Sequence, residues 1–260
     1  MAPLDHERYC AAVIAETTAL REALHGADLA RQVPTCPDWT LHELAAHVGQ
    51  AHRWADAMVR ARASDELPDD AAHVPGYEPG PGAAALDTWL ADGAAALAAA
   101  LRAAGPEAPV WTWAGPHRAG FWARRMAVET LVHRADAALT AGRPYVTDGD
   151  LAADGIDEWL GLLSDPEQAA KDPDLAGLLG VGRTLHLHAT DVPGAEWLVT
   201  GGPGHVEVRR EHTKADVAVR GTLTDLLLVM QRRLPADSDR LALFGDRTLF
   251  DHWLDRTRWG

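Results

Sequence analysis

The most constraining feature of this chain is a carboxylate and an imidazole on what reads as the inward stripe of a helix. Glu129 and His133 are four residues apart, so on a helix they project the same way, one turn above the other. They belong to the row Trp122, Met126, Glu129, His133, Ala137, whose steps of three and four mark a core-facing stripe. His47 repeats the pattern upstream in the row Leu44, His47, Ala51, Trp54, Met58. Ionisable groups inside a protein are costly unless they are paired or bind a metal. A fold for this chain must therefore bring such helices together so that these groups satisfy one another. Two His and one Glu converging in a bundle core make the ligand set of a catalytic zinc site with an open fourth position. A hydrogen-bonded Glu–His pair without metal is the other reading of the same residues. Asp136, three residues after His133, is within reach as an acceptor for a ligand imidazole, or as a partner for Arg134 or Arg143.

The helical half is punctuated clearly. Apolar periodicity predicts a helix from about Asp5 to His25. Pro34 to Thr40 is a rigid entry, and Thr40 with Glu43 forms a capping box for a helix running to about Ala63. A Pro/Gly/Asp-rich loop follows from Leu67 to Gly82, and loops of that length are often functional. An Ala-rich helix spans about Ala83 to Ala104 and stops at Gly105-Pro106; the last runs from about Gly120 to Ala141, with Gly142 and Pro144 as its stop signal. Four helices of this length imply a four-helix bundle.

After Tyr145 the pattern changes. A helix near Asp148 to Leu163 leads into short alternating runs at Thr184–Ala189, Glu196–Thr200, Val206–Arg209 and Asp216–Arg220. Period two with Gly and Pro between the runs predicts strands in a meander. An apolar helix at Thr222 to Leu234, a strand at Leu241–Phe244 and a helix at Thr248–Arg256 complete a small α+β region. The fold class is α+β in two domains, 1–146 and 147–260.

Composition narrows the partners. The 260 residues carry 38 acidic and 24 basic side chains, a formal charge of −14. That argues against nucleic acid and against an anionic membrane surface. No stretch reads as apolar enough to span a bilayer, the N-terminus lacks a cationic start followed by an apolar run, and Cys10 and Cys36 form no disulfide framework. The expected location is the cytoplasm.

Three segments carry a family resemblance. Pro34-Thr-Cys-Pro-Asp-Trp-Thr-Leu-His-Glu-Leu-Ala-Ala-His47-Val-Gly, followed by Trp54, resembles the opening signature of the mycothiol-dependent maleylpyruvate isomerase family. Glu129-Thr-Leu-Val-His133-Arg-Ala-Asp136-Ala resembles its second signature, and Ala215-Asp-Val-Ala-Val-Arg-Gly-Thr through Leu226-Leu-Leu and Arg233-Leu-Pro resembles its C-terminal domain. The resemblance implies a DinB-like four-helix bundle binding a divalent metal, usually zinc, through His47, Glu129 and His133. It also implies a small sterol-carrier-like α+β domain whose catalytic Arg matches Arg233, with Arg232 one residue away; Arg220, at a strand end, is a second choice on its position alone. The implied activity is zinc-dependent activation of a low-molecular-weight thiol, mycothiol, for addition to an electrophilic small molecule, as isomerase or S-transferase. A carboxylated substrate would need such an Arg. The alternative is a non-catalytic, metal-stabilised small-molecule-binding protein. The chain departs from the family pattern at Ala135, where Trp is usual, and at Asp38, where Gly is frequent.

Other candidates carry blander expectations. Cys36 lies near a helix N-terminus but between two prolines, and is expected to be a buried packing residue. His42 and His52, five residues either side of His47, are expected to be exposed. His186 and His188 share a strand face that could bind a metal, though an exposed face is the expectation. Trp111 and Trp113 are expected to pack under a loop.

Overall fold

The computed structural model describes residues 4–68, 74, 76–80 and 82–257. Part of the Leu67–Gly82 loop lies outside the described residues. The chain divides into two compact units, Leu4–Tyr145 and a second that begins at Val146.

The first unit is helical. Helix α1 (His6–Leu24) starts at Asp5, whose carboxylate accepts the Arg8 amide at 2.7 Å. A two-stranded antiparallel ribbon, β1 (Gln32–Val33) and β2 (Cys36–Thr40), precedes α2 (Leu41–Ala61). The ribbon replaces the expected rigid entry. The Thr40–Glu43 capping box is present in full. Helix α3 spans Ala83–Ala104 and α4 spans Ala119–Thr140. Helices α1 and α2 each pack on both α3 and α4. The core between them is built from Leu20, Leu41, Leu44, Leu86, Leu90 and Ala137, with others of the same kind. Helix α4 is buried on nearly every side, from Trp122 through Thr140.

Helix α3 corrects one expectation: by length and composition alone it is apolar enough to cross a membrane, with a mean hydropathy of 1.2. Its alanines produce that value. Its leucines, Leu86, Leu90, Leu97 and Leu101, are all buried within the unit.

The second unit packs helices on a mixed five-stranded sheet. Helices α5 (Gly149–Leu163), α6 (Pro166–Lys171) and α7 (Pro173–Ala176) lead into β3 (Thr184–Ala189), β4 (Glu196–Gly201) and β5 (Val206–Arg209). Strand β6 (Val217–Gly221), α8 (Leu223–Met230), β7 (Ala242–Gly245) and α9 (Arg247–Arg256) complete it. The strand order is β5-β4-β3-β6-β7. Strands β3, β4 and β5 form the expected meander, but β6 crosses back and pairs in parallel with β3. The meander expectation is corrected there, because alternation reports a strand and not its neighbour. Leu185, Leu187, Trp197, Val199, Val217 and Val219 are buried on one face of the sheet. Helix α8 contacts β3, β6 and α5.

Helix α8 ends four residues earlier than the periodicity predicts. The amide of Arg233 bonds the Leu228 carbonyl and that of Arg232 bonds the Val229 carbonyl, a Schellman closure. Arg232 therefore takes the left-handed position, φ 61°, that glycine usually fills. Its guanidinium reaches the Leu254 carbonyl near the end of α9.

Gly49 shows how tightly α2 and α3 approach. A Cβ there would fall 2.0 Å from a ring carbon of Trp89. The ring cannot easily give way: its indole nitrogen donates to the Gly76 carbonyl at 2.7 Å, and the Arg53 guanidinium lies 4.0 Å from its centroid. Gly161, in α5, has nothing within 4 Å of such a Cβ. Gly49→Ala should therefore lose about 1–3 kcal/mol in urea denaturation, although alanine favours helix. Gly161→Ala should gain up to about 1 kcal/mol. A Gly49→Ala protein as stable as the parent would refute this account of the α2–α3 contact.

Candidate metal centre

Helices α2 and α4 bring His47, Glu129 and His133 together. The Nε2 atoms of His47 and His133 each lie 3.1 Å from the same oxygen, Oε1 of Glu129. Candidate ligand atoms of the three residues lie within 4.8 Å of one another. The other Glu129 oxygen accepts from the Arg125 guanidinium at 3.0 Å. Burial alone would raise the Glu129 pKa, but His133, His47 and Arg125 together hold it well below the usual carboxylate range. Burial likewise opposes charge on His133, and Glu129, Asp136 and Cys36 outweigh it, raising its pKa.

The far side of His133 fixes its orientation. Its Nδ1 lies 2.9 Å from Oδ2 of Asp136, which is fully buried. Asp136 is thus the acceptor that the spacing allowed. The alternative arginine partners are engaged elsewhere: Arg134 pairs with Glu16, and Arg143 donates to the carbonyls of Glu22 and His25. The second Asp136 oxygen accepts from the Thr35 hydroxyl at 2.5 Å, and the Cys36 sulfur lies 3.7 Å from Oδ2. With Nδ1–H directed at Asp136, the neutral tautomer of His133 points an Nε2 lone pair at Glu129. A lone pair facing a carboxylate oxygen at this distance is repulsive. Either a proton on Nε2 or a cation between the groups relieves it. The donor set fits a divalent metal on these grounds.

Three contributors were not legible as site residues. Trp39, on β2, stacks over the centre with its ring 4.6 Å from His47 and 6.0 Å from His133. Thr35 and Cys36 reach Asp136 from the same ribbon, which corrects the expectation of Cys36 as a buried packing residue: it is only half-buried and borders the site. The ribbon's pairing was the missing signal. Trp111 and Trp113 pack as expected, against Trp54 and Phe121.

His52 is also corrected. It is completely buried, because the inward row of α2 runs Leu41, Ala45, Val48, His52, Ala55, Val59. His47 stands on the shoulder of that row with its side chain 36% exposed. His52 Nε2 lies 2.8 Å from the Thr130 hydroxyl, which itself donates to the Met126 carbonyl, so the imidazole donates, and burial keeps it neutral. His42 is intermediate in exposure. Arg233 lies in the second unit, half-buried, its guanidinium bonded to the Gln231 carbonyl at 2.7 Å. Arg220 is exposed on β6. His186 and His188 share a face as expected, but His186 is buried and not exposed.

The profile of the mycothiol maleylpyruvate isomerase N-terminal domain matches residues 10–138, and that of the family's C-terminal domain matches residues 150–252. The chain belongs to this family. A crystal structure of the mycothiol-dependent maleylpyruvate isomerase superposes with a TM-score of 0.60 at 18% identity, covering 94% of this chain and 95% of that one. A mutant of the same isomerase gives a TM-score of 0.61 at the same identity and coverage. A ubiquinone synthesis protein, UbiJ-SCP2, matches 44% of this chain and 93% of its own at 18% identity, with a TM-score of 0.30. Comparison with curated proteins found no match. The fold is the family's: a helical N-terminal domain and a small sheet-and-helix C-terminal domain.

Burial lowers the His52 pKa from 6.5 to about 4. As pH falls below 6.5, the unfolded chain binds a proton that the folded chain refuses. Stability should therefore decline through that window and level off near pH 4, by on the order of 3 kcal/mol in total. Denaturation midpoints of the parent and His52→Gln, measured from pH 7 to 4, should converge as pH falls. Parallel profiles would show that His52 contributes nothing to the acid sensitivity.

Proposed function

We propose that this protein is a zinc enzyme of the family, with His47, Glu129 and His133 as metal ligands and mycothiol as thiol cosubstrate, catalysing isomerisation of a small carboxylated electrophile. The observation that carries this reading is the convergence of two imidazole Nε2 atoms on one carboxylate oxygen, 3.1 Å from each, with one imidazole oriented from behind by Asp136. Three protein donors are the set that leaves a zinc position for an outside ligand. When bound, the metal would lower the pKa of an incoming thiol so that the thiolate is available at neutral pH.

The residues divide the remaining work. Asp136 holds the Nδ1 proton of His133 and so keeps Nε2 directed at the centre. Arg125 fixes the Glu129 carboxylate through its other oxygen. The Trp39 ring lies against the His47 imidazole and gives the centre an apolar wall on that side. The thiolate adds to an activated alkene carbon, the former double bond rotates, and the thiolate leaves with the double bond restored, so the thiol is unconsumed. S-transfer to an electrophile would share the first step and end there; membership of an isomerase family favours the former. Arg233 is proposed as the cation that grips the substrate carboxylate. In its favour, Arg233-Leu-Pro belongs to the segment that resembles the family's C-terminal domain.

Cys36, His133 and Asp136 form a second possible donor group. It is disfavoured because both Asp136 oxygens already accept hydrogen bonds, one from Thr35 and one from His133.

Elemental analysis and turnover test the reading together. His47→Ala should remove one equivalent of metal per chain and abolish mycothiol-dependent isomerisation of maleylpyruvate. His42→Ala and Cys36→Ser should keep the metal. Arg233→Ala should keep it too while lowering kcat/KM by roughly 10–100-fold, as expected for a lost charge-assisted contact. Unchanged metal content in His47→Ala would refute the ligand assignment.

A further inference from the structure

A second cluster of metal-type donors lies in the C-terminal unit and shares no residue with the bundle site. His186 and His188 are two apart on β3 and so share one face of the sheet. Glu196 on β4 is directly opposite His188 in the antiparallel register, which places it on the same face. His212 comes from the link that follows β5. The three imidazoles converge on a single atom, Oε2 of Glu196: His186 Nε2 at 3.1 Å, His188 Nδ1 at 2.9 Å and His212 Nδ1 at 2.5 Å. Their ring centroids form a nearly equilateral triangle with sides of 6.0, 5.7 and 5.6 Å.

Hydrogen bonding alone does not account for this arrangement. A carboxylate oxygen offers two lone pairs, too few for three N–H donors. The shortfall is visible at His186: its side chain is only 6% exposed, yet its buried Nε2 makes no hydrogen bond, since the approach to Glu196 lacks the required geometry. An unpartnered buried imidazole nitrogen aimed at a carboxylate is destabilising. A cation among the four groups would use all three nitrogen lone pairs and the carboxylate together.

We propose that His186, His188, Glu196 and His212 form a second metal site, for a divalent ion of the zinc class. The candidate ligand atoms of all four residues lie within 4.8 Å of one another. A tetrahedral ion with ligands at about 2.0–2.1 Å needs them about 3.4 Å apart, so side-chain rotations suffice to close the set. Three imidazoles and one carboxylate suit zinc and its first-row neighbours; magnesium and calcium prefer all-oxygen shells. Four protein ligands make a closed site, so the role is structural. The ion fastens the link between β5 and β6 onto the sheet through His212, whose side chain is otherwise 74% exposed. That link carries the chain across the sheet to the parallel strand β6.

The test uses full-length protein stripped with chelator. In the His47→Ala protein, which isolates this site from the proposed bundle site, one equivalent of zinc should bind. Cobalt should give the strong visible absorption of a four-coordinate ion. Zinc should raise the melting temperature and slow amide exchange over residues 210–216. Adding His212→Ala should weaken zinc binding by roughly a hundredfold and erase both effects. Because His212 is exposed, that variant should fold normally; His188→Ala provides a second removal. No zinc bound in the His47→Ala protein, or equal affinity with and without His212, would overturn the site. These results do not depend on whether the bundle site binds metal.

Discussion

A carboxylate inside the most enclosed helix of the bundle sets the terms for the surrounding structure. Helix α4 is packed on nearly all sides, and Glu129 interrupts it with a negative charge. Leaving that charge without partners would cost several kcal/mol. Two imidazoles and one guanidinium answer it. One of those imidazoles then needs its own acceptor, and the acceptor, Asp136, is again a fully buried carboxylate. The Thr35 hydroxyl and the Cys36 thiol reach that group from the ribbon before α2. The two-residue strand β1 buries little by itself. Its consequence is to place Thr35, Cys36 and Trp39 against a site formed by helices that are distant in sequence.

The second unit solves a different problem with the same kinds of side chain. One sheet face is apolar and packs on helices. On the opposite face of β3 and β4, alternation would ordinarily give solvated polar residues. Here it gives His186, His188 and Glu196, with the first buried. A buried imidazole on a nominally outer face is the kind of local conflict expected at a functional or strained position. The Schellman closure after α8 is another: a left-handed Arg232 stands where glycine would be unstrained, with its guanidinium fastened to the Leu254 carbonyl.

Much of this was legible in the chain itself. The Thr40–Glu43 box, the Gly105-Pro106 stop and the 3.6-residue rows located the four helices to within a residue or two. Glu129, His133 and Asp136 were readable because their spacing lies within one helix. His47 was chosen for its row, yet the more buried row holds His52. Periodicity could not decide between them, because α2 packs against both α3 and α4 and so buries a broad arc. The ribbon was unreadable because two prolines mask so short a pairing. The parallel partnership of β6 with β3 was unreadable because register between distant segments leaves no local trace. The same limit hid the second cluster: the sequence displays the His186–His188 pair, but only cross-strand register adds Glu196, and only the path of the β5–β6 link adds His212.

The number of protein donors separates what the two clusters can do. On the proposed reading, three donors meet in the bundle, and the imidazole of His47 keeps 36% of its surface accessible. Such a set binds an ion without saturating it, so an external thiol can become the remaining ligand. Orientation there has to come from behind the ligands, which accounts for a buried carboxylate at His133 and a guanidinium at Glu129. Four donors meet on the sheet, from two strands and a link. A saturated ion offers a substrate nothing, and its binding energy goes into holding segments together. At the proposed sheet site the strands set only the backbone positions of His186 and His188, and the ion itself would draw the four side chains together. The Asp136 support at His133 thus has a chemical rationale in an open centre that a closed one would not require.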